Sequence, residues 1–359
     1  MAVKTVLPFG PQHPVLPEPI QLRITLEDES IGQVLPALGY VHRGIEKAGE
    51  KNDYPLNVFL VERICGICSA THGLAYCLAI EKLLGIEPPP RANYLRVVWA
   101  ELHRLHSHLL WLGLLADAFG FESLFMQIWR IRETVMDVLE QTAGNRVIIS
   151  VCSIGGVRRD LSEQQIEQTM NALADCERQL KAILPAILED YTVKKRTVGK
   201  GVLPTEKAIR LGVVGPTLRA SGVAQDLRMT GYAAYGELGF EPVVEQAGDC
   251  YARAVVRARE CFQTIDLIRR ALERLPEGDI QTKPRGNPNG KAIVRVEAPR
   301  GELMYFVVGN GTKNLERMRV RTPTLANAPA LLEMLPGAEF ADVPVITLSI
   351  DPCISCTER

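Results

Sequence analysis

The chain has 359 residues, 47% hydrophobic and 23% charged, which is enough for one large core or two modest domains. Its 41 basic and 42 acidic residues give a formal charge of -1, and nothing in that balance suggests a nucleic-acid-binding tail or a polybasic membrane anchor. The best apolar run, residues 109–116, is too short to span a bilayer, and the first residues lack the apolar core of a signal peptide; the expectation is a soluble chain able to dock on a membrane partner.

Five prolines, Pro8, Pro11, Pro14, Pro17 and Pro19, forbid regular helix at the start. Ile20, Leu22, Ile24 and Leu26 alternate with polar residues and predict a half-buried strand, returning through 28–32 into a second strand at Val34 and Leu35. From Tyr54 the period becomes helical, with Val58, Val61, Glu62 and Cys65 on one face. Helices are predicted over 72–84, 91–118, 122–141, 161–188 and 250–275, those at 91–118 and 122–141 being apolar enough for a bundle core. Residues 191–204 read as a basic linker or exposed loop, 212–222 as irregular and 276–290 as a loop. Strands at 292–297 and 302–308 follow. The expected fold is mainly α with small β units (α+β), in a single domain: a β unit over 1–50, a helical bundle over 51–275 and an α+β segment over 276–359.

Nine cysteines form two tight pairs, Cys65-Gly66-Ile67-Cys68 and Cys353-Ile354-Ser355-Cys356, with Cys77, Cys152, Cys176, Cys250 and Cys261 left as singletons expected in the core. That pattern is not a secreted disulfide framework. Four thiolates suit a soft metal: zinc, nickel or an iron–sulfur cluster. Spacing alone leaves a closed structural zinc site as likely as a redox centre, although a zinc ribbon normally closes a short local segment.

The neighbours of the pairs go further. Glu62-Arg63-Ile64-Cys65-Gly66-Ile67-Cys68 with His72, and Asp351-Pro352-Cys353-Ile354-Ser355-Cys356, resemble the two metal motifs of nickel–iron hydrogenase large subunits. Glu297-Ala298-Pro299-Arg300-Gly301 matches a third motif of that family. Gly10-Pro11-Gln12-His13-Pro14, His42-Arg43-Gly44-Ile45-Glu46-Lys47, Gly215-Pro216-Thr217-Leu218-Arg219-Ala220-Ser221-Gly222 and Arg321-Thr322-Pro323-Thr324-Leu325-Ala326-Asn327 are similar to the quinone-site subunit of respiratory complex I. Both sets together resemble the membrane-bound, energy-converting (Ech-type) hydrogenases.

The resemblance implies that Cys65 and Cys353 are terminal nickel ligands and that Cys68 and Cys356 bridge nickel and iron. It also implies cyanide and carbon monoxide on the iron. Splitting dihydrogen needs a hydride acceptor and a nearby base, here the Cys353 thiolate or the guanidine of Arg300, which the resemblance places above the metals. Because arginine is rarely deprotonated, an electrostatic role for Arg300 is also open. Glu18 is the candidate proton gate, His72 a hydrogen-bond partner of a bridging sulfur, and Thr324 a donor to a cyanide. His103 and His106 share a helix face, and with His108 they read as structural, or at most as part of a proton path. Arg130 and Arg132 read as buried or interfacial ion-pair formers.

One departure stands out. Many hydrogenases of this family place a magnesium-binding histidine where this chain has Arg359; a guanidinium pairing with Glu46 would replace the cation, so no magnesium is expected. An ending at Arg359 fits either a chain trimmed by the maturation protease or a gene with no extension. The resemblance implies catalysis of proton reduction to dihydrogen with electrons from reduced ferredoxin, arriving through a small iron–sulfur subunit because this chain has no cysteines to spare for a relay cluster. Membrane ion-translocating subunits and nickel-insertion proteins are the other implied partners, on the cytoplasmic side of the membrane. The alternatives are a formate- or carbon-monoxide-linked hydrogen-evolving complex and, more weakly, a complex I-type subunit without hydrogenase activity. The resemblance speaks against the last, because the quinone-reducing relatives lack the four cysteines.

Overall fold

The structure is a computed structural model, and it describes residues 4–13, 16 and 18–359; Pro14 and Pro17 lie outside the described residues. Strands β1 (Lys4–Phe9), β2 (Gln21–Glu27) and β3 (Ser30–Ala37) form an antiparallel sheet in that order. β1 was not expected; Pro8 is tolerated there because β1 is an edge strand, paired only with β2. Leu22, Ile24, Leu26, Ile31 and Val34 bury the inner face of the sheet.

Helices α1 (Ile45–Lys51), α2 (Asn57–Glu62) and α3 (Ser69–Leu84) bring the first cysteine pair into place, with Cys68 at the N-cap of α3. The bundle is α4 (Pro90–Ala118), α5 (Glu122–Ala143), α6 (Glu163–Leu188) and, later, α10. Proline at its first position starts α4. Gly144, at a positive φ, ends α5. A capping box between Ser162 and Gln165 opens α6. α4 is buried almost all round, between α3, α5 and α10, so its charged residues and histidines are buried along with its apolar ones. Between α5 and α6 lies a two-stranded ribbon, β4 (Cys152–Ser153) and β5 (Gly156–Val157).

Two stretches read as loops carry helices. α7 (Tyr191–Thr197) forms because Asp190 accepts from the backbone N–H groups of Thr192 and Val193. After α8 (Thr205–Arg210), α9 (Gly215–Arg219) carries Pro216 in its first turn, inside the glycine-punctuated stretch. α10 (Cys250–Glu273) follows. A second antiparallel sheet then runs β6 (Asn289–Ala298), β7 (Gly301–Asn310) and β8 (Leu315–Arg321). β8 is a third strand beyond the two expected. α11 (Pro323–Asn327), α12 (Leu331–Met334), α13 (Val343–Ser349) and α14 (Ile354–Glu358) complete the chain. The fold is mainly α with small sheets near both ends, as expected. Among the described residues no helix is long and apolar enough to cross a membrane. All five singleton cysteines are buried.

A buried ion lattice joins α4, α9, α10 and β6. Arg219 contacts Glu260 at 2.8 Å, Glu297 at 2.8 Å and Asp226 at 3.1 Å. Arg228 reaches Asp226 and Glu101, Arg104 reaches Glu101, and His108 contacts Glu260 at 2.8 Å. Three arginines therefore face four carboxyls. Burial and the charge of Asp226 push Glu297 up to about 7, so the lattice is balanced when Glu297 keeps its proton.

The same lattice aligns two of the sequence motifs. Arg219 belongs to the stretch 215–222 and Glu297 to the end of β6, just before the turn that carries Arg300. The two segments touch backbone to backbone: a Cβ on Gly215 (φ +69°) would lie 2.3 Å from the Arg300 carbonyl oxygen, and one on Gly301 would lie 2.7 Å from the Gly215 nitrogen.

Candidate metal centre

The four paired cysteines meet, all buried, where the α2–α3 connection faces the start of α14. Cys353 Sγ lies 3.3 Å from Cys65 Sγ, and Cys68 Sγ lies 3.4 Å from Cys356 Sγ. The sulfurs of Cys65, Cys68 and Cys356 all fall within 4.8 Å of one another. Hydrogen bonds from Cys353, Cys356 and Cys68 hold the Cys65 thiol well below its ordinary range. Cys356 is pushed well up by its bonds to Cys353, Cys65 and Cys68 and by burial. Cys68 and Cys353 rise too: a bond from Cys356 opposes the rise, but bonding to Cys65 and burial outweigh it. Ionising all four buried thiols together needs a cation among the sulfurs. Four sulfur donors fit nickel with iron, as they would zinc, and do not fit magnesium or calcium.

The second pair is positioned by what precedes it. Trp111 Nε1 on α4 donates to the Leu348 carbonyl at 2.7 Å, and Arg253 Nε on α10 donates to Ser349 Oγ at 2.9 Å. The chain then turns at Asp351, whose φ of 54° is left-handed. Such a conformation costs of order 1–3 kcal/mol and persists where the surroundings enforce it. Here Arg300 enforces it, donating from Nε to the Asp351 carbonyl at 2.9 Å and from Nη2 to Oδ1 at 2.8 Å. Arg300 Nη1 and Asp351 Oδ2 are buried without a partner. Burial alone would lower Arg300, but Asp351 and the cysteines raise it well above its ordinary value, so it stays charged.

Glu18 stands beside Cys353. Its Oε1 accepts from Cys353 Sγ at 3.6 Å and its Oε2 from Ser355 N at 2.7 Å. Burial, then the charge of Cys65, raises its pKa. His72 Nε2 lies 3.7 Å from Cys356 Sγ, while its Nδ1 lies 2.7 Å from the Tyr305 hydroxyl. Burial lowers His72 to about 4, so the ring is neutral. In the tautomer with Tyr305 donating to Nδ1, Nε2 carries the proton and presents it to the sulfur. Thr324 Oγ1 accepts from Cys353 N at 3.1 Å, leaving its own proton for another acceptor. Tyr305 and Asp351 escaped the sequence reading as site residues. Asp351 offered a signal, an acidic residue placed just before Pro352-Cys353; Tyr305 offered none.

Arg359 Nε pairs with Glu46 at 2.9 Å, and Arg319 holds the other Glu46 oxygen at 2.8 Å. Of the helix residues, His108 sits in the ion lattice, while His103 and His106 both approach the Ile67 carbonyl. Arg132 donates to His106, and Arg130 lies exposed on α5.

Glu62, in the first motif, is buried with Oε2 accepting from Ser150 and Oε1 unpartnered. Burial raises it to about 7 against opposing contacts with Ser150, Arg158 and Arg63. The folded protein therefore holds the neutral acid. That stabilisation is complete below the unfolded value of 4.5 and is lost as the pH rises through 7. Glu62→Gln should raise stability at about pH 8 by up to roughly 3 kcal/mol while changing it little at about pH 4. Thermal unfolding at the two pH values measures the difference, and equal shifts at both would reject the assignment.

The family of the respiratory-chain NADH dehydrogenase 49 Kd subunit matches residues 118–287 and 282–359, and the family of nickel-dependent hydrogenases matches residues 43–117. The chain is 41% identical over 371 residues to the membrane-bound hydrogenase subunit alpha of Pyrococcus furiosus, covering 98% of this chain and 87% of that protein. It is 41% identical over 356 residues to the carbon monoxide-induced hydrogenase of Rhodospirillum rubrum, covering 98% of this chain and 99% of that protein. A solved chain of the membrane-bound sulfane sulfur reductase, an archaeal respiratory membrane complex, matches with a TM-score of 0.94 and 31% identity over 99% of this chain and 98% of that one.

Proposed function

We infer that this chain, which belongs to the family joining nickel-dependent hydrogenases to the 49 Kd subunit of respiratory-chain NADH dehydrogenase, is the catalytic subunit of a membrane-associated nickel–iron hydrogenase. The observation that carries this reading is the meeting of four buried thiols from sequence positions 288 apart. Cys65 and Cys353 would hold nickel, and Cys68 and Cys356 would bridge it to iron. When bound, the metal pair with its cyanide and carbon monoxide ligands supplies the two-electron chemistry that interconverts protons and dihydrogen.

The remaining work falls to side chains. Cys353 Sγ accepts the proton and passes it to Glu18 Oε1, whose raised pKa suits a group that must both take and release it. Arg300 keeps its charge beside the sulfurs, clamps the Asp351 turn and has Nη1 free to donate to a cyanide. Thr324 anchors the Cys353 backbone and offers its hydroxyl proton, and His72 donates to Cys356. The Arg359–Glu46 pair takes the place of a magnesium ion.

Electrons reach the centre through a small iron–sulfur subunit, with reduced ferredoxin as the donor. Among the described residues the other five cysteines form no cluster. The relatives named for membrane-bound complexes support docking on integral membrane subunits that translocate ions, on the cytoplasmic side. A maturation protease and nickel-insertion proteins complete the partners, and all 359 residues act as one catalytic domain.

Dihydrogen evolution from reduced ferredoxin by the purified complex tests the activity; its absence in a nickel-loaded complex would defeat the reading. Glu18→Gln should slow proton–deuterium exchange by roughly 100-fold or more, within the range of general acid–base contributions, and leave the spectrum of the metal centre unchanged. Full exchange in that variant would place the gate elsewhere.

A further inference from the structure

The histidines of α4 bear directly on the first cysteine loop. His103 Nδ1 lies 3.4 Å from the Ile67 carbonyl oxygen and His106 Nε2 lies 3.1 Å from it. A carbonyl only accepts, so each of those nitrogens carries a proton. His103 is thereby the Nδ1–H tautomer and His106 the Nε2–H tautomer. The other nitrogen of His106, Nδ1, must then be an acceptor, and Arg132 Nη2 on α5 lies 3.2 Å away to donate to it. The two imidazoles meet edge to face, with centroids 5.1 Å apart. At 3.4 Å the His103 bond is the weaker of the two, so His106 dominates.

The other end of Ile67 faces the sulfur. Its N–H donates to Cys65 Sγ at 3.3 Å. Gly66 before it lies against Val147, whose Cγ1 would stand 2.8 Å from a Cβ added there. The Ile67 carbonyl and N–H lie on the two peptide groups that flank one Cα, so anchoring the carbonyl from α4 restrains that Cα and the turn from which the N–H reaches Cys65. Hydrogen bonds to a metal-bound sulfur withdraw electron density and raise the potential of the centre. Arg132, donating to His106 Nδ1, fixes the ring whose Nε2–H holds the Ile67 carbonyl.

We propose that His106, backed by Arg132 and assisted by His103, is a positioning residue that aims the Ile67 N–H at Cys65 and so tunes the electron density of that thiolate. The proposal rests on the reading of Cys65 as a nickel ligand. None of the three side chains touches a cysteine sulfur, so the effect passes entirely through the backbone of the loop.

The test is a redox titration of the nickel signal, followed by electron paramagnetic resonance, in the intact complex carrying His106→Leu, His106→Gln or Arg132→Met. His106→Leu is expected to shift the midpoint to lower potential at unchanged nickel content. Arg132→Met should shift it less, in the same direction, and His106→Gln, which keeps an N–H donor, should restore it. If His106→Leu does not assemble, Arg132→Met decides, because Arg132 is only half-buried. Wild-type potentials in nickel-loaded His106→Leu, or in Arg132→Met where it must decide, overturn the proposal. A wild-type complex without nickel overturns the proposed function itself, which separates the two failures.

Discussion

Cys353→Ser should abolish dihydrogen chemistry and strip the protein of most of its nickel. The sulfur of Cys353 is 3.3 Å from Cys65 and 3.6 Å from the carboxyl of Glu18, so it serves both the sulfur cluster and the proton exit. A serine hydroxyl is a hard donor that ionises far less readily than a thiol, and it cannot replace a soft thiolate at nickel. Changing a residue that merely supports a metal ligand costs about 10–100-fold in affinity or activity, and loss of a ligand should exceed that. Metal analysis of the purified variant gives the nickel content. Cys176→Ala supplies the control, since Cys176 is buried on α6 outside the cluster and should retain full nickel. Wild-type nickel in Cys353→Ser would remove Cys353 from the ligand set.

Arg219→Met should be the most damaging substitution away from the cysteines. Arg219 is fully buried and holds Glu260, Glu297 and Asp226. Removing it leaves Asp226 to Arg228, Glu260 to His108 and Glu297 to the backbone N–H of Leu227. Breaking a buried pair from one side typically costs about 3–5 kcal/mol, whereas an exposed pair is worth about 0–1 kcal/mol. Because Glu297 sits at the base of the turn that carries Arg300, the variant should also load nickel poorly. Unfolding of the chain measures the first effect, and a loss under about 1 kcal/mol would show the lattice to be dispensable.

The four-cysteine cluster was legible because paired thiols at two ends of a chain imply a shared cation, and the flanking motifs named which one. The long helices were legible from their apolar faces and their proline and glycine boundaries. α7 and α9 were missed although Asp190 and Pro216 are ordinary start signals; the basic and glycine-rich composition around them concealed a single helical turn or two. β8 was hidden by a bulge. Val308 pairs with Arg317 and Gly309 with Leu315, so the extra residue breaks the alternation and buries Leu315, Met318 and Val320. The Arg300–Asp351 clamp, the Tyr305–His72 bond and the grip of His106 on Ile67 link residues from 39 to 233 positions apart. Such pairings depend on tertiary packing, and no local pattern encodes them.

The most direct test of the account is nickel X-ray absorption on the complex purified without oxygen. The account predicts stoichiometric nickel, coordinated by sulfur with iron close by. Stoichiometric zinc with neither nickel nor iron in this chain would contradict it.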